Sequence, residues 1–451
     1  MVDLDAWLPR AAARRPDHPA LIGADGDVVT YAELHRSARR AAAVLRARGV
    51  GPGDRVALRL APGPGFVAAV HATLGLGAAI VPIDLRLSDE EQAARAAGAR
   101  TIVEAPLDPA AEGGALRGAE EVALLERLDP AAVATVLHTS GTTAAPKPVE
   151  LTVSNWLWNA LGSALALGLD SEERWLCTLP LSHVGGLSIV LRSAIYGTTV
   201  VLHERFEAER AAAALADPRL RVTLVSLVAT TLQRVLDAGL ARPPALRCAL
   251  IGGGPLAPAL AARAAAAGIP AAQTYGMTEA CSQVCTGLPG EPETAGLPLT
   301  GQRVAIAPDG EILVAGETVA RGALAADGWL HTGDLGRLDA RGRLIVSGRK
   351  SELIVSGGEN VAPQEVEAVL MAHPAVADAG VHGRPDPEWG EAVVATVVLR
   401  EPAADEAALA RELRDHVGAR LARFKVPKAI AFQTEPLPRT ASGKLLRRQL
   451  R

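Results

Sequence analysis

One segment of the 451-residue sequence concentrates groups that bind anions. In HTSGTTAAPKPV, at 138–149, Gly141 and the hydroxyls of Ser140, Thr142 and Thr143 precede Lys147. Glycine lets backbone N–H groups come close to an anion, the hydroxyls add donors, and the lysine ammonium is a mobile point charge. Phosphate is the ligand that suits this chemistry; a polar surface turn is the alternative. The spacing differs from G-x-x-x-x-G-K-[ST], so the loop is not of that phosphate-binding type. Cys177, Cys248, Cys281 and Cys285 carry no second pair at metal-ligand spacing. They read as small buried apolar residues.

Such a loop needs rigid elements on either side. Apolar residues at helical spacing (Leu34, Ala41, Leu45) predict a helix from Tyr31 that stops at Gly49, followed by a strand over 55–60. Short buried strands are expected over 134–137, 175–179, 200–203, 222–227 and 246–251, with helices between them such as 208–216. Strands alternating with helices imply layered α/β subdomains with substantially parallel sheets. The pattern changes near residue 348. Beyond it Pro363 opens a helix with a Val366, Val369, Leu370 stripe, a strand covers 392–399, and Leu409, Leu413, Val417 and Leu421 mark a second helix. The expected organisation is a large N-terminal α/β domain over 1–347, a hinge at 348–351 and a small α+β C-terminal domain over 352–451.

Bulk composition sets limits on function. Hydrophobic residues are 49% and charged residues 21%, which fits a packed globular chain and not a largely disordered one. A net charge of −4 argues against broad electrostatic capture of nucleic acid or an anionic membrane, while leaving local anion sites open. The longest apolar stretch, 66–83, is broken by His71, Thr73 and glycines, and reads as a buried helix running into a strand, not a membrane span. No apolar secretory segment is visible near Met1, so a cytoplasmic location is expected. Aromatics are only 3%, so cores must be built from Ala, Val and Leu.

Seven motifs then occur in order: TSGTT with Lys147, PLSHVGGLS (180–188), IGGGPL (251–256), QTYGMTEACSQ (273–283), WLHTGDLG (329–336), SGRKSELIVSGGENVAPQEVE (347–367) and LPRTASGK (437–444). The series resembles the adenylate-forming superfamily of acyl-CoA synthetases, adenylation domains and luciferases, over nearly the whole chain from 30 to 450. That resemblance implies ATP, Mg2+ and coenzyme A as partners of an AMP-forming acid–thiol ligase. It implies that Thr139, Ser140, Gly141, Thr142, Thr143 and Lys147 hold the ATP phosphates, that Thr278 contacts the α-phosphate, and that Glu279 carries the metal. Gly252, Gly253, Gly254 and Pro255, with Tyr275, Gly276 and Met277, would form the adenine slot. Asp334 and Arg349 would reach the ribose. Ser351 would be the pivot of a mobile small domain. Lys444 would bridge the substrate carboxylate and the phosphate during adenylation, and Gly357 and Gly358, with Glu359 and Asn360, would line a pantetheine tunnel.

The stretches at 180–206, 251–260, 273–283 and 355–381 look like those of the subfamily that activates o-succinylbenzoate in menaquinone biosynthesis. His183, Ser188, Arg192 and Gly276 would then face the acid, with Arg192 either supplying a cationic contact or lying on a helix surface. Arg423, Lys425 and Lys428 either meet the CoA phosphates or form a solvated charged face. Ala144, Pro148 and Ser182, and a short connection before Trp329, depart from the family pattern. Other acids, a carrier-protein acceptor, a non-catalytic nucleotide-binding relative and a homo-oligomeric state stay open on sequence alone.

Overall fold

The computed structural model describes residues 3–108, 121–139, 147–439 and 445–450. The Tyr31–Ala47 helix begins with a capping box between Thr30 and Glu33 and buries Ala38, Ala41, Ala42 and Ala43. Small side chains let the helix sit close to its neighbours, as a core poor in aromatics requires. The apolar stretch after Pro64 is a buried helix, Pro64–Gly75, that runs into the strand Ala79–Pro82. Trp156 is one of the few large rings in this core. It is fully buried, and its indole N–H donates to Thr135 Oγ1 at 3.1 Å.

Two sheets dominate the N-terminal part. In the nine-stranded sheet, six adjacent strands are parallel: Ala271–Met277, Cys248–Gly252, Leu224–Val228, Arg174–Cys177, Thr199–Leu202 and Pro19–Gly23. The five-stranded sheet orders Thr101–Val103, Arg55–Leu58, Ala79–Pro82, Val133–Thr139 and Lys147–Thr152, with only the last pair antiparallel. Lys147–Thr152 is an edge strand, which is where Pro148 is tolerated in a ladder. The helix expected over 208–216 is found at Ala208–Ala216. Strands expected at 175–179, 222–227 and 246–251 are shifted by one or two residues. Near one of them, Arg221 has a positive φ of 53°, and the chain becomes extended only from Leu224.

A third layer was not read from the sequence. Gln302–Ile306, Glu311–Gly316, Leu330–Leu338 and Leu344–Arg349 form a wholly antiparallel four-stranded sheet. Beyond it lies the α+β unit. Its sheet contains Ile354–Ser356, Glu359–Val361, Val376–Asp386, Gly390–Leu399 and Ala429–Gln433, and its helices are Pro363–Met371 and Glu406–Gly418. The second helix stops before Leu421, which still packs on the core around Leu413 and Val417. Among the described residues no helix is long and apolar enough to cross a membrane. All four cysteines are buried and free.

Candidate active site

Parallel strands present their C-terminal ends on one edge, and ligand sites in open α/β sheets gather there. Four neighbouring strands of the nine-stranded sheet end here, and three of them lead into motif residues. After Arg174–Cys177 comes PLSH, after Leu224–Val228 a helix, after Cys248–Gly252 the glycine loop, and Ala271–Met277 carries Tyr275 and leads into Thr278. In the glycine loop Gly253 has φ of 76°, a backbone that favours glycine, and Gly253, Gly254 and Pro255 are exposed. The Leu256 N–H donates to Gln273 Oε1 at 3.2 Å, which ties the loop to the neighbouring strand.

At Gly276 the antiparallel pairing with Ser282–Thr286 slips by one residue. A Cβ there would lie 1.7 Å from the Ser282 carbonyl oxygen, so only glycine permits the approach. The chain then makes a single 3-10 turn, Thr278–Ala280, and reverses through two non-glycine residues of positive φ, Cys281 (54°) and Ser282 (85°). Consecutive left-handed residues of this kind persist only where the surroundings over-determine them. The Glu279 carbonyl accepts the Ala320 N–H at 2.8 Å, which anchors the turn from the other side. Thr278 and Glu279 stay half-buried at the sheet edge. Among the described residues no three carboxylate, histidine or cysteine groups cluster as a metal cage. A lone carboxylate such as Glu279 fits Mg2+, which keeps most of its waters and takes one or two carboxylates plus substrate phosphates.

Asp334 and Arg349 face each other across antiparallel strands, in register. Arg349 Nε lies 2.7 Å from Asp334 Oδ1, and the Tyr275 hydroxyl donates to Asp334 Oδ2 at 2.9 Å. This contact joins the nine-stranded sheet to the antiparallel one. Burial first, then the Asp334 carboxylate, pushes the Tyr275 hydroxyl far above its ordinary range, so it stays a donor. Each Asp334 oxygen holds one of these partners, and a carboxylate offers about four acceptor sites. Tyr275 is 8% exposed and belongs to an apolar cluster with Val284, Ile312 and Leu330, so little of its ring is open.

His183 ends the PLSH turn and is the N-cap of the Val184–Tyr196 helix. Its Nε2 lies 3.5 Å from Asp84 Oδ2. Ser188 is buried and its hydroxyl donates to the Gly185 carbonyl at 2.8 Å. Arg192 is 1% exposed, which excludes the helix-surface alternative. Its Nε donates to Asn159 Oδ1 at 3.0 Å, a second guanidinium nitrogen bonds the same oxygen, and the group sits 5.6 Å from the centre of the Trp175 ring. Burial lowers its pKa. Among the described residues no carboxylate pairs with it. Asn159 in turn reaches the Gln283 carbonyl at 3.3 Å, beside the Thr278–Ser282 reversal. No motif marks Asn159, whose contacts lie 33 and 124 residues away.

In the small unit Gly357 and Gly358 form a two-residue hairpin turn between Ile354–Ser356 and Glu359–Val361, with φ of 62° and 84°. Both are exposed, and both need the left-handed region of such a turn. Trp389 lies against this turn: its carbonyl accepts the Gly357 N–H at 2.8 Å. Lys428 Nζ sits 3.8 Å from the centre of the Trp389 ring. Lys425 is committed to Glu365 at 2.6 Å. Ser351 is exposed between two anchors. Lys350 reaches Asp309 at 2.5 Å in the large unit, and Glu352 accepts from Arg447 at 2.6 Å in the small one. Thr139 and Lys147 are register partners on adjacent strands and bracket the anion loop. Ser140, Gly141, Thr142, Thr143 and Lys444 lie outside the described residues.

A family profile described as "AMP-binding enzyme" matches residues 8–328, and one described as "AMP-binding enzyme C-terminal domain" matches 365–444. The 2-succinylbenzoate–CoA ligase of Bacillus subtilis (strain 168) is 39% identical, with 99% of this chain and 97% of the relative covered. The o-succinylbenzoate CoA synthetase of Bacillus subtilis in complex with its acyl-adenylate intermediate superposes with a TM-score of 0.88, at 38% identity and over 100% and 98% of the two chains. A double mutant of that synthetase bound with a product analogue gives a TM-score of 0.72 at the same identity and coverage.

Proposed function

The chain belongs to the AMP-binding enzyme family, and on that premise we propose that it joins o-succinylbenzoate to coenzyme A at the expense of ATP, by way of an acyl-adenylate. One observation carries this reading: the likeness, end to end, to a ligase seen with that intermediate. The activity places the chain in menaquinone biosynthesis, and we assign it to the cytoplasm.

A carboxylate is a poor electrophile, so the acid is first activated. Its oxygen attacks the α-phosphorus of ATP and diphosphate leaves. Two anions must be brought together for this, and positive charge has to wait where they meet. Thr139 to Thr143 and Lys147 receive the phosphates, with Thr278 at the α-phosphate. Glu279, with the phosphates, would hold Mg2+, which would supply positive charge on the diphosphate side. The glycine loop at 252–255 and the strand end Tyr275–Met277 take the adenine, and Asp334 accepts the ribose hydroxyls from a carboxylate already oriented by Tyr275 and Arg349. Lys444 bridges the acid carboxylate and the phosphate. His183 faces the acid. Arg192 is a buried cation without a carboxylate partner among the described residues, an expensive arrangement that an anionic group of the acid would relieve.

In the second step the CoA sulfur attacks the acyl carbonyl and AMP leaves. We assign residues 1–347 to a fixed domain, 348–351 to the hinge with Ser351 as pivot, and 352–451 to a domain that turns to bring Gly357 and Gly358 against pantetheine. The anchors on either side of Ser351 support a pivot there. The difference in TM-score between the adenylate-bound and product-analogue-bound relatives supports two domain arrangements.

The test is steady-state turnover of o-succinylbenzoate with ATP, Mg2+ and CoA, read as AMP and as thioester by mass. The expected result is kcat/KM for o-succinylbenzoate well above that for benzoate, malonate or fatty acids. Turnover of one of those acids in its place would overturn the substrate assignment and keep the reaction.

A further inference from the structure

We propose that Asp84 is a positioning residue for the adenylation step: it fixes the ring of His183 from a different sheet. The proposal deepens the reading of His183 as the side chain that faces the acid, and rests on it.

His183 is held by its backbone on one side alone. Its N–H donates to the Pro180 carbonyl at 3.1 Å and its carbonyl accepts the Leu187 N–H at 3.0 Å. Gly186 keeps this turn tight, because a Cβ there would lie 2.3 Å from the Pro180 oxygen. These contacts fix the Cα–Cβ direction and leave the imidazole free to rotate. The side chain is 40% exposed, yet its Nε2 is shielded from solvent and has no partner at closed hydrogen-bond distance. A shielded ring nitrogen without a partner is costly. The acidic group on that side is the Asp84 carboxylate, 13% exposed, with Oδ2 at 3.5 Å. That separation is one small ring rotation from a normal N–H···O bond.

Asp84 is itself built to act as a fixed acceptor. It follows the strand Ala79–Pro82 of the five-stranded sheet, whereas His183 follows Arg174–Cys177 of the nine-stranded one. Arg86 grips it with both arms, Nε to Oδ1 at 2.8 Å and Nη2 to Oδ2 at 2.7 Å, and the Arg86 N–H reaches Oδ1 at 3.1 Å. Burial pushes the Asp84 carboxyl up, but the nearby His183 ring and the bonds from Arg86 outweigh it and hold it well below the usual range, so it is ionised. The fork also neutralises the carboxylate. What reaches His183 is therefore mainly direction: the contact keeps the proton on Nε2 and leaves Nδ1 as the unprotonated nitrogen. Which ring nitrogen carries the proton is set by the bond the other makes. The chain thus ties the acid-facing residue to both sheets.

A double-mutant cycle over Asp84→Ala and His183→Ala tests this, in the adenylation half-reaction of the full chain. Asp84→Ala is expected to raise the KM for the acid about tenfold, as for a misaimed positioning group, and to leave the KM for ATP unchanged. In the His183→Ala background the same change should add nothing. Additive losses, or equal losses in acid and ATP binding, would overturn the proposal. If Asp84→Ala does not fold, Asp84→Asn takes its place, with the same cycle. A second readout needs no turnover: imidazole 15N–1H spectra, with the His183 signals assigned by their loss in His183→Gln. They should show the proton on Nε2 in the parent chain and a mixture in the Asp84 variant. Identical His183 spectra in both chains would refute the contact. Failure to turn over o-succinylbenzoate refutes the substrate assignment instead, and the cycle then uses whichever acid the parent chain adenylates.

Discussion

In the large unit Asp334 is gripped by Arg349 at 2.7 Å and by Tyr275 at 2.9 Å, whereas in the small unit Gly357 and Gly358 sit exposed at the tip of a hairpin. The first arrangement joins two sheets, so its geometry is set before any ligand arrives. The second has no side chains to aim; it offers backbone with positive φ on a hairpin beyond Ser351, the proposed pivot. The difference matches the two half-reactions. Adenylation needs charge and donors in fixed places, while thioester formation needs a narrow passage that can be brought up and withdrawn.

Removing charge from the small unit's other end should sharpen that contrast most. Lys444→Ala is expected to lose about a hundredfold or more in adenylation, as for an oriented donor at developing charge, and to spare thioester formation from preformed acyl-adenylate. Equal losses in both steps would show that the small unit does not divide its work. Next comes Asp334→Ala, which removes a charged acceptor and with it the Asp334 partner of the Tyr275 hydroxyl. The KM for ATP should rise on the order of thirtyfold, as for one lost charge-assisted hydrogen bond, while the KM for the acid stays within about twofold. Arg192→Ala should raise the KM for o-succinylbenzoate about tenfold, the scale of one lost contact to a charged group, and spare ATP. An unchanged acid KM would reject that contact. Gly358→Ala should be mildest. Nothing lies within 4 Å of an added Cβ, so the cost is the φ of 84° alone. That strain is about 1 kcal/mol, or about fivefold in thioester formation at most, with adenylation unaffected.

The helix at 208–216 and the parallel strands were legible because their patterns are local: an alanine-rich run on the helical period and short apolar runs between breakers. The antiparallel layer over 302–349 was not, since its strands alternate weakly and its pairing is decided by partners the period does not reveal. The site divided in the same way. Tyr275, Asp334 and Arg349 were found by motif, yet their mutual bonds, 59 residues apart for Tyr275 and Asp334, were invisible. Gly276 was read as a ligand-facing residue. The structure adds a second demand on it, the 1.7 Å approach to the Ser282 carbonyl. Arg192 reads equally as a contact to the acid or as a helix-surface cation, because Asn159 and Trp175, which enclose it, come from a separate helix and strand. Asp84 gave no motif at all; an Asp two residues before an Arg is common, and its fork became informative only with His183 beside it.

The most direct test is a single turnover of ATP and o-succinylbenzoate with excess enzyme and Mg2+ but no CoA. The expected result is release of diphosphate with enzyme-bound acyl-adenylate, which added CoA then discharges as AMP and o-succinylbenzoyl-CoA. Diphosphate that appears only once CoA is present, with no acyl-adenylate trapped before it, would contradict the two-step account.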